Sequence, residues 1–330
     1  MPGQSANDRP RRVIERLLRY EVTIEFYTPA GHLRVMNERL LALKQDGTPK
    51  ESRKPFLDLD EENSRFVLRM EGQAHPSYHD VGLDHALVST SLYAPHYPHI
   101  TAFREELSRW RFYYFDPGVM RQESALRAVD SVGSDGRDIS GFYHTLKIQD
   151  YPQFKGISKA LPIAIPNAES IETAITEEGL VRLIYQDSGN IHSSRVISDG
   201  TLRVLGLFAI MSHFNRASTI GFEEPENGVH PRRLSVIARL LDNATLSDSH
   251  TQVLVTTHSP RFPEFLNLGY DQMDCDVRVS LIGSYKHNNE TEFTELHKSP
   301  IFVRVDAEAA LEEDGHTTFE EALMRGDFGG

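Results

Sequence analysis

Residues 218–231, Ser-Thr-Ile-Gly-Phe-Glu-Glu-Pro-Glu-Asn-Gly-Val-His-Pro, constrain the fold of this chain more than any other stretch. Ile220 to Phe222 form a short apolar run between turn-rich flanks, as expected of a strand buried in a parallel sheet, and the run ends in acids at Glu223, Glu224 and Glu226. Residues 231–243 then read as a helix, with Pro231 suited to its first turn and Leu234, Ile237, Leu240 and Leu241 forming its buried face. Residues 252–260, Gln-Val-Leu-Val-Thr-Thr-His-Ser-Pro, supply a second β-branched strand. Strand, crossover helix and strand make a βαβ unit, whose right-handed connection places both strand ends on one side. The expected fold class is therefore α/β around a parallel sheet, with ligands outside the carboxyl ends of its strands.

The chemistry follows from that placement. Glu223 and Glu224 would point into the ligand crevice, where one acid can hold Mg²⁺ while its neighbour orients and deprotonates an attacking water. A Glu-Glu pair alone is ordinarily a solvated loop. A lone histidine is ordinarily an unremarkable surface or core residue, and His258 rises above that only because it would share a sheet edge with Glu224. Residues 197–211, Ile-Ser-Asp-Gly-Thr-Leu-Arg-Val-Leu-Gly-Leu-Phe-Ala-Ile-Met, precede the acidic strand. Ser198 or Asp199 is a natural N-cap, Gly200 lets a ligand approach the backbone, and Leu202, Leu205, Phe208 and Ile210 or Met211 form an apolar helical face. A helix N-terminus with a hydroxyl and free N–H groups binds anions.

Taken in order, these three stretches resemble the C-terminal half of an ABC-type ATPase head. More narrowly, the chain is similar to bacterial ATPases related to SMC, double-strand-break-repair and OLD-type heads that lack a long coiled coil. The resemblance implies an ABC-type head with a parallel sheet core, an antiparallel β lobe and a helical insertion. It places Ser198, Asp199, Gly200, Thr201 and Arg203 in the signature motif, with Ser198 and Gly200 contacting the γ-phosphate of ATP held by a second protomer. Glu223 would be the Walker B acid on Mg²⁺, in place of the commoner Asp, and Glu224 the catalytic glutamate that positions water. Asn227 would lie in the D-loop of residues 226–228, and His258 would be the switch histidine reading the γ-phosphate. ATP and Mg²⁺ are the implied cofactors, and a homodimer or a P-loop-bearing partner the implied assembly. By analogy with such relatives the process served is DNA repair or anti-phage defence, with DNA or a nuclease as further partners.

One part of the family pattern is missing. A P-loop needs Gly-x-x-x-x-Gly-Lys-Ser/Thr, because successive N–H groups wrap the phosphates while Lys reaches the β/γ oxygens. No such run occurs in the 330 residues. Three explanations compete, ranked in this order: truncation of a longer chain, a split ATPase with its P-loop on another chain, and a degenerate partner that lends its signature. The rival to ATP hydrolysis is accordingly a non-hydrolysing regulatory or scaffold subunit. A nuclease built on the clustered acids ranks last, since it leaves the signature and His258 without a role.

Composition narrows the setting. A net charge of −13 argues against passive coating of nucleic acid, and a single cysteine, Cys275, leaves no internal disulfide and fits a reducing cytosol. The longest apolar run, near residues 204–211, is too short to span a membrane and no signal-peptide core is visible, so a cytoplasmic protein without membrane association is expected. Domains are expected at 1–45 (tail and β-lobe remnant), 46–165 (helical or irregular insertion) and 166–330 (ATPase lobe). Residues 1–10 read as a disordered tail and 13–18 as a short amphipathic helix. Residues 20–27 alternate polar and apolar and turn at 30–32 into a hairpin, whereas 44–64 reads as loop. His75, His79, His85, His96 and His99 crowd one segment, but their intervals fit no zinc pattern and they read as a polar insertion. Helices are expected at 100–110, 140–148, 151–161, 262–266 and 319–324. The aromatic run 111–115 should be a core strand, 171–175 and 180–185 should pair as a hairpin, 277–283 should be a further strand, and 291–296 should extend the sheet. No heptads are present.

Overall fold

The structure, a computed structural model, describes residues 12–295 apart from 73–74, 213–216, 231–232, 246–250, 260–261, 263–264, 266–278 and 288–289. The expected tail at 1–10 and helix at 319–324 lie outside the described residues, as do most of 262–266 and the ends of 277–283 and 291–296. The chain divides into two compact units, Met1–Arg109 and Trp110–Gly330.

The first unit is an antiparallel sheet of β1 (Leu18–Tyr27), β2 (His32–Ala42), β3 (Leu57–Asp60), β4 (Arg65–Leu68) and β5 (Ser77–Asp80), in that spatial order, followed by helix α1 (Pro98–Ser108). The predicted hairpin is present, closing where Tyr27 pairs with His32. Leu40, Phe56, Leu57, Phe66 and Ile100 are fully or nearly buried and form its core.

Two expectations fail here, each through a distant contact. Residues 12–17 form no helix and run directly into β1. Their backbone is engaged elsewhere: the N–H groups of Ile14 and Glu15 both donate to Nε2 of His99 at 3.0 Å, while the Glu15 carboxylate lies 3.0 Å from Lys50 and 3.3 Å from Arg53. A helix would have to surrender those donors. The segment 44–64, expected as loop, contains β3, because Leu57 packs into the core and pairs with both Leu40 and Leu68. His99 is a core histidine, stacked on Phe56 and bonded through Nδ1 to Glu71 at 2.8 Å.

The second unit carries the βαβ arrangement read from the sequence. Its parallel sheet comprises β6 (Trp110–Tyr113), β11 (Thr219–Glu223) and β12 (Gln252–Thr256), ordered β12-β11-β6 with both pairings parallel. Between β6 and β11 come α2 (Pro117–Met120), β7 (Ser124–Ala125), α3 (Ile139–Gln149), α4 (Tyr151–Ala164), β8 (Ala168–Ile175), β9 (Leu180–Asp187), β10 (Asn190–Ser193) and α5 (Asp199–Ile210). Strand β9 pairs antiparallel with β7, β8 and β10. Helix α6 (Leu234–Thr245) bridges β11 and β12 and buries Leu234, Ile237 and Leu241 as its spacing predicts, with Ala238 added to that face and Leu240, also expected there, only half-buried. A last hairpin joins β13 (Ile282–His287) to β14 (Glu290–Glu295).

Helix α5 is the centre of this unit. Every residue from Gly200 to Ile210 is buried, as befits a helix apolar nearly all round. Tyr143 of α3 donates its hydroxyl to the Leu205 carbonyl at 2.7 Å, and burial holds that hydroxyl above the usual tyrosine range. Phe115 and Phe222 meet edge to face beside it, with ring centroids 5.0 Å apart. The aromatic run 111–115 is only half core: Tyr113 and Phe115 are buried, whereas Phe112 and Tyr114 are exposed. Alternation along a strand explains the split, since successive side chains face opposite ways. The fold class is α/β, with a parallel sheet core and antiparallel sheets. Among the described residues no helix is long and apolar enough to cross a membrane.

Candidate functional site at the carboxyl ends of the parallel strands

The acidic strand and the histidine strand converge as their order in a βαβ unit requires. Thr219–Glu223 runs in register with Gln252–Thr256, so Glu223 pairs with Thr256 and both strands release the chain at the same edge. Glu223, the last residue of β11, is exposed there.

Glu224 turns the chain sharply. Its φ is +45°, left-handed and without glycine's freedom. The conformation is held on both sides: its N–H donates to the Thr256 carbonyl at 2.9 Å and its carbonyl accepts from Asn227 N–H at 3.0 Å. The carboxylate then meets Nε2 of His258 at 3.3 Å through Oε1, while Asn227 Nδ2 approaches Oε2 at 3.4 Å. The His258 side chain is 91% exposed, so one face of this pair opens to solvent. Glu226 stitches the two loops together, accepting from the Thr257 hydroxyl at 2.5 Å and from His258 N–H at 3.1 Å. Its other oxygen, Oε2, is buried and has no hydrogen-bond partner among the described residues.

The predicted signature residues cap α5. Ser198 is the N-cap, accepting from Thr201 N–H at 3.3 Å and donating its hydroxyl to Thr201 Oγ1 at 2.8 Å. Asp199 opens the helix and pairs with Arg121, whose Nη2 also donates to the Ile197 carbonyl at 3.0 Å. The near neighbour of Gly200 is backbone of the same chain: a Cβ added there would fall 2.8 Å from the Gly228 carbonyl. Arg203 is 6% exposed, lies beside Gly228, and its Nε and Nη1 donors have no hydrogen-bond partner among the described residues. The structure thus joins Glu223, Glu224, Asn227 and His258 at one sheet edge, and seats Gly200 and Arg203 against the adjoining loop at Gly228. Arg121 was not foreseen. It meets Asp199 across 78 residues of sequence, a contact with no local signal.

The donor set at this strand edge is two carboxylates and an imidazole, and among the described residues no group of three or more His, Cys, Asp or Glu is arranged to hold a metal ion by itself. It does not supply the phosphate-wrapping loop, which no run in the sequence provides.

No curated protein matches the chain in sequence. Among solved structures, similarity extends to a structure described under ATP-driven dimerization and DNA-stimulated activation of SMC ATPases, at 12% identity and TM-score 0.37, covering 52% of this chain and 99% of that one. A Pyrococcus furiosus Smc head with an extended coiled coil, bound to the C-terminal domain of ScpA, aligns at 11% identity and TM-score 0.37 over 52% of this chain and 40% of that one. An SMC head bound to the C-terminal winged-helix domain of ScpA aligns at 11% identity and TM-score 0.44, over 85% of this chain and 76% of that one. The family described as "AAA domain, putative AbiEii toxin, Type IV TA system" matches residues 59–262, more than half of the chain and all of the strand-end site, and the protein belongs to this family of ATPase domains.

Proposed function

We propose that this chain is the signature and Walker B portion of an ABC/SMC-like ATPase head that hydrolyses ATP in a dimer. The observation that carries the reading is the Glu224–His258 pair, 3.3 Å apart at the end of two parallel strands, with Glu224 locked at left-handed φ. In this reading Glu223 holds Mg²⁺, Glu224 orients water and takes its proton, and His258 senses the γ-phosphate. Ser198, Asp199, Gly200, Thr201 and Arg203 clamp that phosphate on a neighbouring protomer, with Asn227 at the interface. Because the two halves of the site lie on different protomers, turnover depends on association. The process served is DNA repair or anti-phage defence, in the cytoplasm, with DNA or a nuclease as further partners.

The test is phosphate release by the native assembly purified from its own cells. Glu224→Gln keeps the shape and removes the base, and should lower turnover roughly 10²- to 10⁴-fold while leaving assembly intact. Wild-type turnover in that variant would sink the reading.

A second reading has one observation in its favour, the lack of a Gly-x-x-x-x-Gly-Lys-Ser/Thr run in the 330 residues. The chain would then be a regulatory or scaffold subunit that lends its signature face to a P-loop partner. Under it, Glu224→Gln leaves turnover unchanged while Ser198→Arg, which blocks the signature face, abolishes it.

A further inference from the structure

An antiparallel sheet commonly packs one face on the core and gives the other to water. In the first unit the core face carries Leu57, Phe66 and Leu68. Successive residues of a strand face opposite ways, so Asp58, Val67 and Tyr78, in register across β3, β4 and β5, share the outer face. Val67 is unusual there. It is only 7% exposed, yet it stands outside the core that its neighbours Phe66 and Leu68 build. It lines a cavity of about 630 Å³, a volume typical of small-molecule sites. Leu59, Met70 and Pro76 make up the rest of the apolar lining.

The polar lining carries a sign. Lys54 and Arg69 both line the cavity, and among the described residues neither is paired with a carboxylate; Arg69 is anchored instead by Nη1 donating to the Pro55 carbonyl at 2.9 Å. The acid in the lining, Asp60, is already engaged. Asn63 at 2.9 Å and Arg65 at 3.2 Å hold its carboxyl below the usual carboxylate range. Two cations are therefore left over in a chain whose net charge is −13, and a carboxylate or phosphate is what such donors accept.

The aromatic part of the lining is held in place. Arg65, which does not itself line the cavity, lies over the Tyr78 ring with its guanidinium carbon 3.8 Å from the centroid. Tyr78 is 50% exposed and turns its remaining surface to the cavity. A ring fixed in this way accepts a second flat group by stacking.

We propose that this cavity binds a planar aromatic anion, with the ring against Tyr78 and the apolar lining, and with its carboxylate or phosphate on Lys54 and Arg69. An aliphatic acid would leave the Tyr78 ring unused, and a neutral ring would leave the two cations unused. All of these residues lie in the first unit, so the proposal stands apart from the ATPase reading. An aromatic carboxylic acid and a nucleoside monophosphate offer the same chemistry.

Isothermal titration calorimetry of the full chain separates them with two probes, indole-3-acetate and adenosine 5′-monophosphate. Indole and adenosine lack the acid, and inorganic phosphate lacks the ring. At least one probe should bind, at least tenfold more tightly than indole, adenosine or phosphate, and the tighter of the two identifies the kind of acid. Lys54→Glu and Tyr78→Ala should each weaken that probe at least tenfold, while Tyr78→Phe keeps its affinity. Both positions are exposed, so circular dichroism and melting temperature should match wild type; where Tyr78→Ala disturbs the sheet, Lys54→Glu decides alone. Failure of both probes to bind, or equal binding of indole, adenosine or phosphate, overturns the proposal. Full affinity in Lys54→Glu or in a folded Tyr78→Ala places the probe elsewhere on the chain and overturns it as well.

Discussion

A non-glycine residue held at left-handed φ costs on the order of 1–2 kcal/mol, and such residues gather where a side chain must be aimed. Glu224 is one, at +45°, and its two backbone hydrogen bonds keep it there. The cost is separable from the chemistry. Glu224→Gly relieves the backbone and should be more stable than Glu224→Ala by about 1 kcal/mol, although both lack the carboxylate. Urea denaturation of the two variants measures the difference, and equal midpoints at equal slope would mean that the turn carries no strain. The acids and the histidine were legible in the sequence as residue types at strand ends. The φ of Glu224 was not, because it is imposed by Thr256 and Asn227 rather than by its own preference. Nor was the packing of Gly200 on the Gly228 carbonyl, which joins segments 28 residues apart.

Elements were legible in proportion to how locally they are determined. The hairpin β1–β2, the strands β11 and β12, helix α6 and the cap of α5 at Ser198 follow from alternation, helical spacing and capping chemistry. Residues 12–17 carry an amphipathic pattern as convincing as any, yet His99 claims two of their N–H groups from 84 and 85 residues away. The charges of that segment report on the same latch. Lys50, hydrogen-bonded to Glu15, holds its carboxyl below the usual carboxylate range, with Arg53 adding to the effect. A depressed folded pKa contributes stability above the unfolded value of about 4.3 and loses it as pH falls through the folded value. Glu15→Gln should therefore cost about 1 kcal/mol at neutral pH, discounted for the partly exposed Lys50. That deficit should shrink below about pH 4 as the wild-type carboxylate protonates. Thermal melts of both proteins from pH 7 to pH 3 give the comparison, and a deficit constant across that range would assign it to packing instead of charge.

At the scale of the whole molecule, charge and the divided site proposed above make opposing demands. Each chain carries −13, and bringing two such chains around ATP adds further negative charge. The repulsion is long-ranged at low salt, where the Debye length is about 30 Å at 0.01 M, and short-ranged at 0.15 M, where it is about 8 Å. Association around the nucleotide should therefore strengthen as salt rises through this range. An electrostatic grip on nucleic acid behaves in the opposite way, weakening as counterions compete for the phosphates. A site shared between protomers also makes turnover per chain fall on dilution below the dissociation constant, whereas a site complete within one protomer does not. The expected result is a rate per chain that declines over a hundredfold dilution of the native assembly at 0.01 M salt, and declines less at 0.15 M. A rate per chain flat across that dilution at both salts would place the whole active site within a single protomer and remove the role assigned to Ser198 and Gly200.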